Sequence, residues 1–553
     1  MADTPPIESF DFAATEWESY EQFEAEFEWA VPEPFNTATA VCDHWASDSD
    51  RVALFYETPA GDAQTVTYRE LQADSNRLAN YLQGRGVTRG DRVAVTGAQK
   101  PAVLSALVAT WKLGAIAVPM SRLLGTEGLA HRLEHSEAVV FVVDEGNVDA
   151  YRALPDEVTA DVAPLTVDVA DPRGTETDLL DAITGEPAVF EPAATHPEDV
   201  ATIQYTSGTT GDPKGVALAH RVVLGQLPAY FFTHRNTVIT PDEVVWVIAE
   251  WSWIGLYAHI LPSLFYGIPV VAHPRERFDP RRVFELIEKY GVTYCRMTPT
   301  AVRMMMQFDD AESYDCSSIR QLGIGGEKSS QDVAAWVDEV FDGPVVNSAY
   351  GQTETLLVTG ECAALGKTRE GSNGVPVPCR TVAVLDPETL EERPSGELGE
   401  LAVYYEGDVA SFSRYWNDPE ATAEKVRDGW LLTGDLATQD TDGFVWFHSR
   451  KDDVIICSGY RIGPTEIEDC LAAHPAVADA GVVGVPDETR GEIPKAFVVL
   501  AAGETPSDAL RETLQTHVKD TLAKYEYPRE LVFIEDLPKT TNGKLKRSRL
   551  RDL

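Results

Sequence analysis

Apolar residues recur along the first half of the chain in two alternating patterns. Leu71, Leu78, Tyr81 and Leu82 fall at helical spacing and predict a helix over Arg69 to Gln83. Asp91 to Val95 reads as a short strand, Ala102 to Leu113 as a buried helix, and Ala115 to Pro119 and Val139 to Val143 as apolar strands. This β–α–β rhythm predicts parallel sheets covered by helices. It recurs from Val244 to Tyr294 and again around Gln321 to Val346. After Gly374 the texture changes. Short strand signals separated by Gly and Pro turns, at Thr381 to Leu385, Gly399 to Tyr405, Trp430 to Thr433 and Phe444 to Phe447, predict a small β-rich subdomain. A boundary near Arg450 to Asp453 precedes a compact α+β stretch of one domain's length. Within it, Pro464 to Ala473 and Asp508 to Leu522 read as helices, and Ala480 to Val485 and Ala496 to Ala501 as strands.

Trp251 to Ala272 carries no Asp, Glu, Lys or Arg and is long enough to span a bilayer. Its Gly255, His259, Pro262, Gly267 and Pro269 favour a buried helix, then a turn and a buried strand from Ile268 to Ala272. Val200 to Tyr205 reads as a strand, Val216 to Leu227 as a helix, and Pro344 to Asn347 as a strand.

Composition narrows what such a chain can do. Its 553 residues predict more than one domain, and 44% hydrophobic content excludes disorder. With 46 basic residues against 89 acidic, the formal charge is −43. That argues against nucleic acid, which needs a basic face, and against an anionic membrane surface. Only 14 of the 46 basic residues are lysine, with none between Lys112 and Lys214. An acidic, lysine-poor surface suits a halophilic cytoplasm, where salt screens the repulsion between carboxylates. A lysine inside a motif therefore stands out. Seven cysteines, at 42, 295, 316, 362, 379, 457 and 470, show no CxxC pair, so neither a zinc site nor a disulfide framework is expected. The acidic, aromatic segment from Met1 to Trp29 lacks the basic residues and apolar run of a targeting peptide.

Two motifs carry candidate chemistry. Tyr205-Thr206-Ser207-Gly208-Thr209-Thr210-Gly211-Asp212-Pro213-Lys214-Gly215 combines glycines, hydroxyls and one lysine after a strand. Such a loop aims N–H and O–H donors at one point and suits phosphates. It is not a Walker A loop, because Pro213 precedes Lys214 and Gly215 follows it. Tyr350-Gly351-Gln352-Thr353-Glu354 offers a hydroxyl followed by a carboxylate, able to hold a phosphate oxygen and Mg²⁺ together. Alone it reads better as a solvated loop, and it gains weight only beside the first motif.

These two motifs are followed, in order, by Thr433-Gly434-Asp435, Ser449-Arg450-Lys451-Asp452-Asp453, the run Ser458-Gly459-Tyr460-Arg461 through Glu468, and Leu537-Pro538-Lys539-Thr540-Thr541-Asn542-Gly543-Lys544. With this ordered set the chain resembles an acyl-CoA synthetase of the adenylate-forming superfamily, and is most similar to the medium-chain group. The resemblance implies an α/β fold, with a large N-terminal domain of two αβ layers and a β-barrel subdomain, plus a small mobile α+β C-terminal domain. It divides the chain into an acidic extension (1–35), an AMP-binding domain (36–451) and a mobile domain (452–553). It also implies a two-step reaction. ATP and a carboxylic acid form acyl-AMP and pyrophosphate, and the thiol of CoA then displaces AMP.

Residue roles follow from the same resemblance. Thr206, Ser207, Gly208, Thr209, Thr210, Gly211 and Lys214 would hold the β- and γ-phosphates. Gly326, Glu327 and Lys328 would lie along the adenine, and Ser348, Ala349, Tyr350, Gly351 and Gln352 would complete the nucleotide site. Thr353 would sit near the α-phosphate, Glu354 would ligate Mg²⁺, and Asp435 and Arg450 would contact the ribose. Lys544 would carry adenylation, its ammonium offsetting the repulsion between acyl carboxylate and α-phosphate. Asp452 matches the hinge about which the C-terminal domain turns between half-reactions. Ser458, Gly459 and Tyr460 would line the CoA tunnel. Arg490, Tyr525 and Tyr527 resemble CoA contacts, and Arg461 a contact to substrate or nucleotide phosphate. Glu526 is an odd neighbour for an anionic ligand.

Acid size has one clue. Acetate-specific relatives place a bulky Trp where this chain has Gly351, so a deeper acyl pocket is expected, lined by Trp253 and the apolar run to Leu264. Trp251 and Ser252 depart from the group's Asp-Thr-Gly-Trp pattern, and the extra indole would either shorten the pocket or favour branched or aromatic acids. Ordinary core packing competes for each of these residues. The resemblance thus predicts a cytoplasmic ATP-, Mg²⁺- and CoA-dependent ligase for a medium-chain or branched acid, with a homodimer as candidate assembly. An aryl-CoA ligase or a carrier-protein-loading enzyme is the alternative. No carrier domain is recognisable before Leu553, which favours CoA.

Overall fold

The computed structural model describes residues 4–206, 213–275, 277–324, 331–457, 460–487, 490–522, 527–539 and 545–553. Two largely parallel sheets organise the large domain. One has eight strands in the spatial order Arg414–Tyr415, Lys214–Ala219, Val200–Thr206, Ile116–Met120, Arg92–Thr96, Ala138–Asp144, Ala163–Val167 and Thr177–Asp178. The other has six, in the order Gln321–Ile324, Tyr294–Met297, Val245–Val247, Val270–Ala272, Val52–Glu57 and Ala63–Thr67. Helix Pro101–Lys112 lies in the main core with Trp111 fully buried. Its terminal Lys112 is fully buried too, and reaches Asp43 Oδ1 at 2.7 Å and Asn76 Oδ1 at 2.6 Å. A buried ammonium is tolerable only with such partners. Helix Tyr68–Gly84 starts at a capping box between Thr67 and Glu70, which fixes where its apolar face begins.

The β-rich region is present as expected. A five-stranded antiparallel sheet built on Gly399–Tyr404 and Trp430–Gln439 is joined through Val358, Val384, Leu401, Val403 and Val445 to a three-stranded one that contains Ala349–Gln352 and Leu356–Gly360. The C-terminal part folds around its own core, with helices Pro464–Ala472 and Asp508–Thr521 against a five-stranded sheet. The acidic segment expected at 1–35 packs inward by its aromatics. Phe10, Phe12 and Phe23 are buried, and the Phe12 ring lies 5.1 Å from Phe231. No described helix is long and apolar enough to cross a membrane.

Three expectations are corrected. Val216 to Leu227 is not one helix. Lys214–Ala219 is a strand, paired antiparallel with Val200–Thr206, and the helix is Val222–Ala229. A run buried on both faces has no periodicity to separate strand from helix. The phosphate-loop sequence therefore links the two strands of a hairpin and does not open a helix. Pro344 to Asn347 forms only a bridge, Val345 to Gln321. Asn347 is held instead by its side chain, which donates to Thr233 O at 2.9 Å and accepts from Ala363 N at 3.3 Å. The apolar run after Trp251 is shorter as a helix than expected, with a π turn at Leu256–Ile260 followed by Leu261–Phe265, and its strand begins at Val270.

Candidate active site

The turn of the hairpin Ala349–Gln352 to Leu356–Gly360 carries Thr353 and Glu354. The Glu354 carboxylate accepts from the Tyr415 hydroxyl at 2.6 Å, and its carbonyl accepts from Phe412 N–H at 2.8 Å. Tyr415 stands directly opposite Val216 on the strand that begins at Lys214. One tyrosine thus ties the far arm of the phosphate-loop hairpin to the Gln-Thr-Glu turn. Lys214 Nζ lies 5.1 Å from the Tyr415 ring centroid, and Thr206 pairs with Lys214 at the mouth of the hairpin. Burial, and then the Glu354 charge, push the Tyr415 hydroxyl far above the usual phenol range, so it remains a donor.

A second group forms around Asp435, which is 4% exposed. Asp435 and Arg450 are opposite one another in the ladder between Trp430–Gln439 and Val445–Arg450, and Arg450 Nε lies 3.1 Å from Asp435 Oδ1. Tyr350 donates its hydroxyl to Asp435 Oδ2, and the Gln352 amide reaches the same oxygen at 3.4 Å and Thr433 O at 3.0 Å. Burial, and then Asp435, hold the Tyr350 hydroxyl protonated. Burial pulls Arg450 down, but the Asp435 and Asp452 carboxylates more than offset it. Gly434, at φ +78°, makes the bend before Asp435 and donates its N–H to Glu400 Oε1 at 2.9 Å. Lys451 Nζ holds the other Glu400 oxygen at 2.8 Å.

Sequence reasoning missed two members. Lys425 Nζ donates to Gln352 Oε1 at 2.8 Å and to Thr433 O at 3.0 Å. Burial lowers its pKa, although Glu354 and Asp435 act in the opposite sense. In so lysine-poor a chain, a lysine ten residues before Asp435 was the available signal. For Tyr415 no sequence signal existed.

The remaining candidates divide. Ser348 N–H donates to buried Glu361 at 2.9 Å. Trp253 follows fully buried Trp251, and the Ser252 hydroxyl donates to Glu250 at 3.0 Å. Gly351 has a backbone reason for lacking a side chain. A Cβ there would meet Leu356 O at 2.0 Å across the hairpin, so this glycine is no gauge of pocket depth. Arg490 turns to Asp487, Tyr527 packs under Arg529, and neither contacts the Asp435 or Glu354 group. Tyr460 and Arg461 lie on strand Tyr460–Ile462, their side chains outside the described set. Ser207, Gly208, Thr209, Thr210, Gly211, Gly326, Glu327, Lys328, Ser458, Gly459, Tyr525 and Lys544 lie outside the described residues. Asp452 stands 3.4 Å from Arg450 Nε, just beyond the last strand of the antiparallel sheet.

Chemically, the array offers cations (Lys214, Lys425, Arg450, Lys451) around carboxylates that are already hydrogen-bonded. That suits a polyphosphate carrying a ribose. Among the described residues no group of three or more His, Cys, Asp or Glu could hold a metal by itself. A divalent ion here fits the Mg²⁺ pattern of one carboxylate plus ligand phosphates, with Glu354 as that carboxylate.

Known proteins share this architecture. Residues 42–416 match the AMP-binding enzyme family and residues 466–544 the AMP-binding enzyme C-terminal domain. The uncharacterized acyl–CoA ligase YtcI of Bacillus subtilis is 34% identical over 522 residues, covering 92% of this chain and 94% of that protein. The mitochondrial acyl-coenzyme A synthetase ACSM3 of Mus musculus is 32% identical, covering 96% of this chain and 93% of its own. Among solved structures, the anthranilate CoA ligase AuaEII in complex with anthranoyl-AMP superposes with a TM-score of 0.84 at 26% identity, over 94% of this chain and 98% of that one.

Proposed function

The chain belongs to the AMP-binding enzyme family and is an acyl-CoA synthetase that uses ATP and CoA, and we propose that its acid is medium-chain or branched. In the first half-reaction a carboxylate oxygen attacks the α-phosphorus of ATP, and the bond to the bridging oxygen breaks to release pyrophosphate. In the second, the CoA sulfur attacks the acyl carbon, AMP leaves with the electron pair of the carbon–oxygen bond, and the thiol proton passes to solvent. The protein's part is positioning and charge stabilisation.

The observation that carries this reading is the connected array Tyr350–Gln352–Asp435–Arg450, joined through Lys425 and Tyr415 to Glu354 and Lys214. Asp435 is the ribose acceptor, since a hydrogen-bonded buried carboxylate can take two hydroxyls without reorganising. Arg450 is its partner at the ribose. Tyr350 presents its ring to the adenine beside Gly326, Glu327 and Lys328. The loop from Thr206 to Lys214 takes the terminal phosphates, Thr353 the α-phosphate, and Glu354 holds Mg²⁺. Lys544 supplies the ammonium for adenylation. Ser458, Gly459, Tyr460, Arg490, Tyr525 and Tyr527 serve CoA, Arg461 contacts phosphate, and Trp253 borders the acid. Rotation at Asp452, between an AMP-binding domain at 36–451 and a mobile domain at 452–553, exchanges the two functions. The charge of −43 fits a halophilic, cytoplasmic enzyme, and a homodimer is its candidate assembly.

The test is AMP and pyrophosphate release over a panel of straight, branched and aromatic acids, with and without CoA. Pyrophosphate release that needs the acid, and AMP release that needs CoA as well, is the expected result. Best turnover on acetate or on aromatic acids would overturn the choice of acid.

A further inference from the structure

Arg296 is a half-buried cation of the large domain with no counter-charge among the described residues. It lies on strand Tyr294–Met297, the second strand of the six-stranded sheet, level with Val247 on one neighbour and Gly323 on the other. In sequence the Val247 strand is followed by Trp253, and the Gly323 strand by Gly326, Glu327 and Lys328, which lie outside the described residues. Arg296 therefore stands between the strands that precede, in sequence, the segments assigned to the acid and to the adenine, near the carboxyl ends of parallel strands, where open α/β sheets bind their ligands.

Its partners are weak for so costly a site. Arg296 donates to the carbonyls of Met297 and Gly323, at 2.5 and 3.2 Å, and no carboxylate among the described residues pairs with it. Burial lowers its pKa. The contrast with its neighbour Arg235 is direct, because Arg235 is buried against Glu243. Around Arg296 stand uncharged polar groups. The rings of His234 and His259 are 4.2 Å apart, and their Nδ1 atoms lie 3.4 and 3.3 Å from the Tyr294 hydroxyl. Burial, reinforced by the Arg296 charge, holds both histidines neutral. His234 Nε2 is buried with no hydrogen-bond partner among the described residues. Gly323 lets the Tyr294 and Arg296 side chains lie close against its backbone, since a Cβ there would meet Tyr294 Oη at 2.3 Å and Arg296 Cδ at 2.6 Å. Arg296 itself is only half-buried. A half-buried guanidinium held only by two carbonyls among the described residues has donors left for an anion, which would form a charge-assisted pair.

We propose that Arg296, flanked by His234, His259 and Tyr294, receives a second, distal carboxylate of the acid, so that the enzyme activates dicarboxylic acids. This rests on the acyl-CoA synthetase reading and narrows its acid. The reacting carboxylate is held at the nucleotide, and the distal one forms a charge-assisted pair with Arg296.

The experiment measures kcat/KM for pyrophosphate release with acids matched in carbon number: butanoate against butanedioate and hexanoate against hexanedioate. The wild-type protein should favour a dicarboxylate over its matched monocarboxylate by at least about tenfold. Arg296→Met should lose about 10- to 100-fold on dicarboxylates, the range for a lost hydrogen bond to a charged group. It should change little on monocarboxylates, and Arg296→Lys should recover part of the loss. A wild-type preference for the plain chain at both lengths overturns the proposal, whatever the variants do. Equal losses on both classes also overturn it. Pyrophosphate release with none of the four acids, nor with the branched and aromatic panel, would instead strike the acyl-CoA synthetase reading beneath it.

Discussion

Replacing Tyr415 by Phe removes one oxygen and leaves the ring. The ring is held by packing that the substitution preserves: Phe412 lies edge-on at 5.1 Å and Lys214 Nζ lies above it at 5.1 Å. What goes is the 2.6 Å hydrogen bond to the Glu354 carboxylate. Hydrogen bonds to charged groups contribute about 1.5–3 kcal/mol. Glu354 is half-buried, so water can partly replace the lost donor, and the lower end of that range applies. About 1.5 kcal/mol corresponds to roughly a tenfold loss in rate. Because Glu354 is assigned to the metal and phosphate geometry, the loss should fall on kcat for pyrophosphate release and on the Mg²⁺ concentration needed for half-maximal rate. The KM for the acid should hardly move. Single-turnover pyrophosphate release at saturating acid, with ATP and Mg²⁺ varied separately, makes the distinction, and the thermal midpoint should stay within a few degrees of wild type. Unchanged kcat and unchanged Mg²⁺ dependence would refute the claim that Tyr415 orients Glu354.

Lys544→Ala should abolish acyl-AMP formation yet spare thioester formation from supplied acyl-AMP, and equal loss of both steps would remove its assigned role. Lys425→Met should raise the KM for ATP by about tenfold through loss of the hold on Gln352, and an unaltered KM would show that Gln352 needs no anchor. His220 is fully buried, and its Nδ1 accepts from Thr37 N–H at 3.2 Å; burial pushes its pKa down to about 4. Between pH 6.5 and 4 the unfolded chain therefore binds a proton that the native state refuses, so this histidine costs stability as pH falls. From pH 6.5 to 5 the cost is about 2 kcal/mol. His220→Asn, which keeps an acceptor for Thr37, should flatten the fall in urea midpoint over that interval, and parallel curves would contradict it. Raising KCl from 0.1 to 2 M should lower the KM for ATP, because it shortens screening from about 10 Å to under 3 Å around a surface of charge −43. A flat response would count against the halophilic reading.

Much of the fold was legible as periodicity. The helices now seen at Tyr68–Gly84 and Pro101–Lys112, and strands such as Ala138–Asp144, follow apolar spacing that needs no distant partner. Reading failed where burial on both faces erased the spacing, as in Lys214–Ala219. It failed also where side chains replaced the ladder, as at Asn347. The first error had a functional consequence, because it made a hairpin loop look like the entry to a helix. Gly351 was misread for a related reason: the close approach of Leu356 O depends on a turn that spacing does not disclose.

By itself the sequence determined the class of chemistry. The order of the motifs, the loop of glycines and hydroxyls before Lys214, and the Asp435 and Arg450 positions are properties of residue type and spacing. Only the tertiary structure decided which of these groups act together. Tyr415 reaches Glu354 across 61 residues, and Lys425 reaches Gln352 across 73, through strand pairings that bring distant segments into register. The lack of a counter-charge to Arg296 among the described residues is likewise invisible along the chain. Whether a guanidinium is paired depends on what surrounds it in space, and low-dielectric surroundings turn that difference into a free-energy demand for an anion.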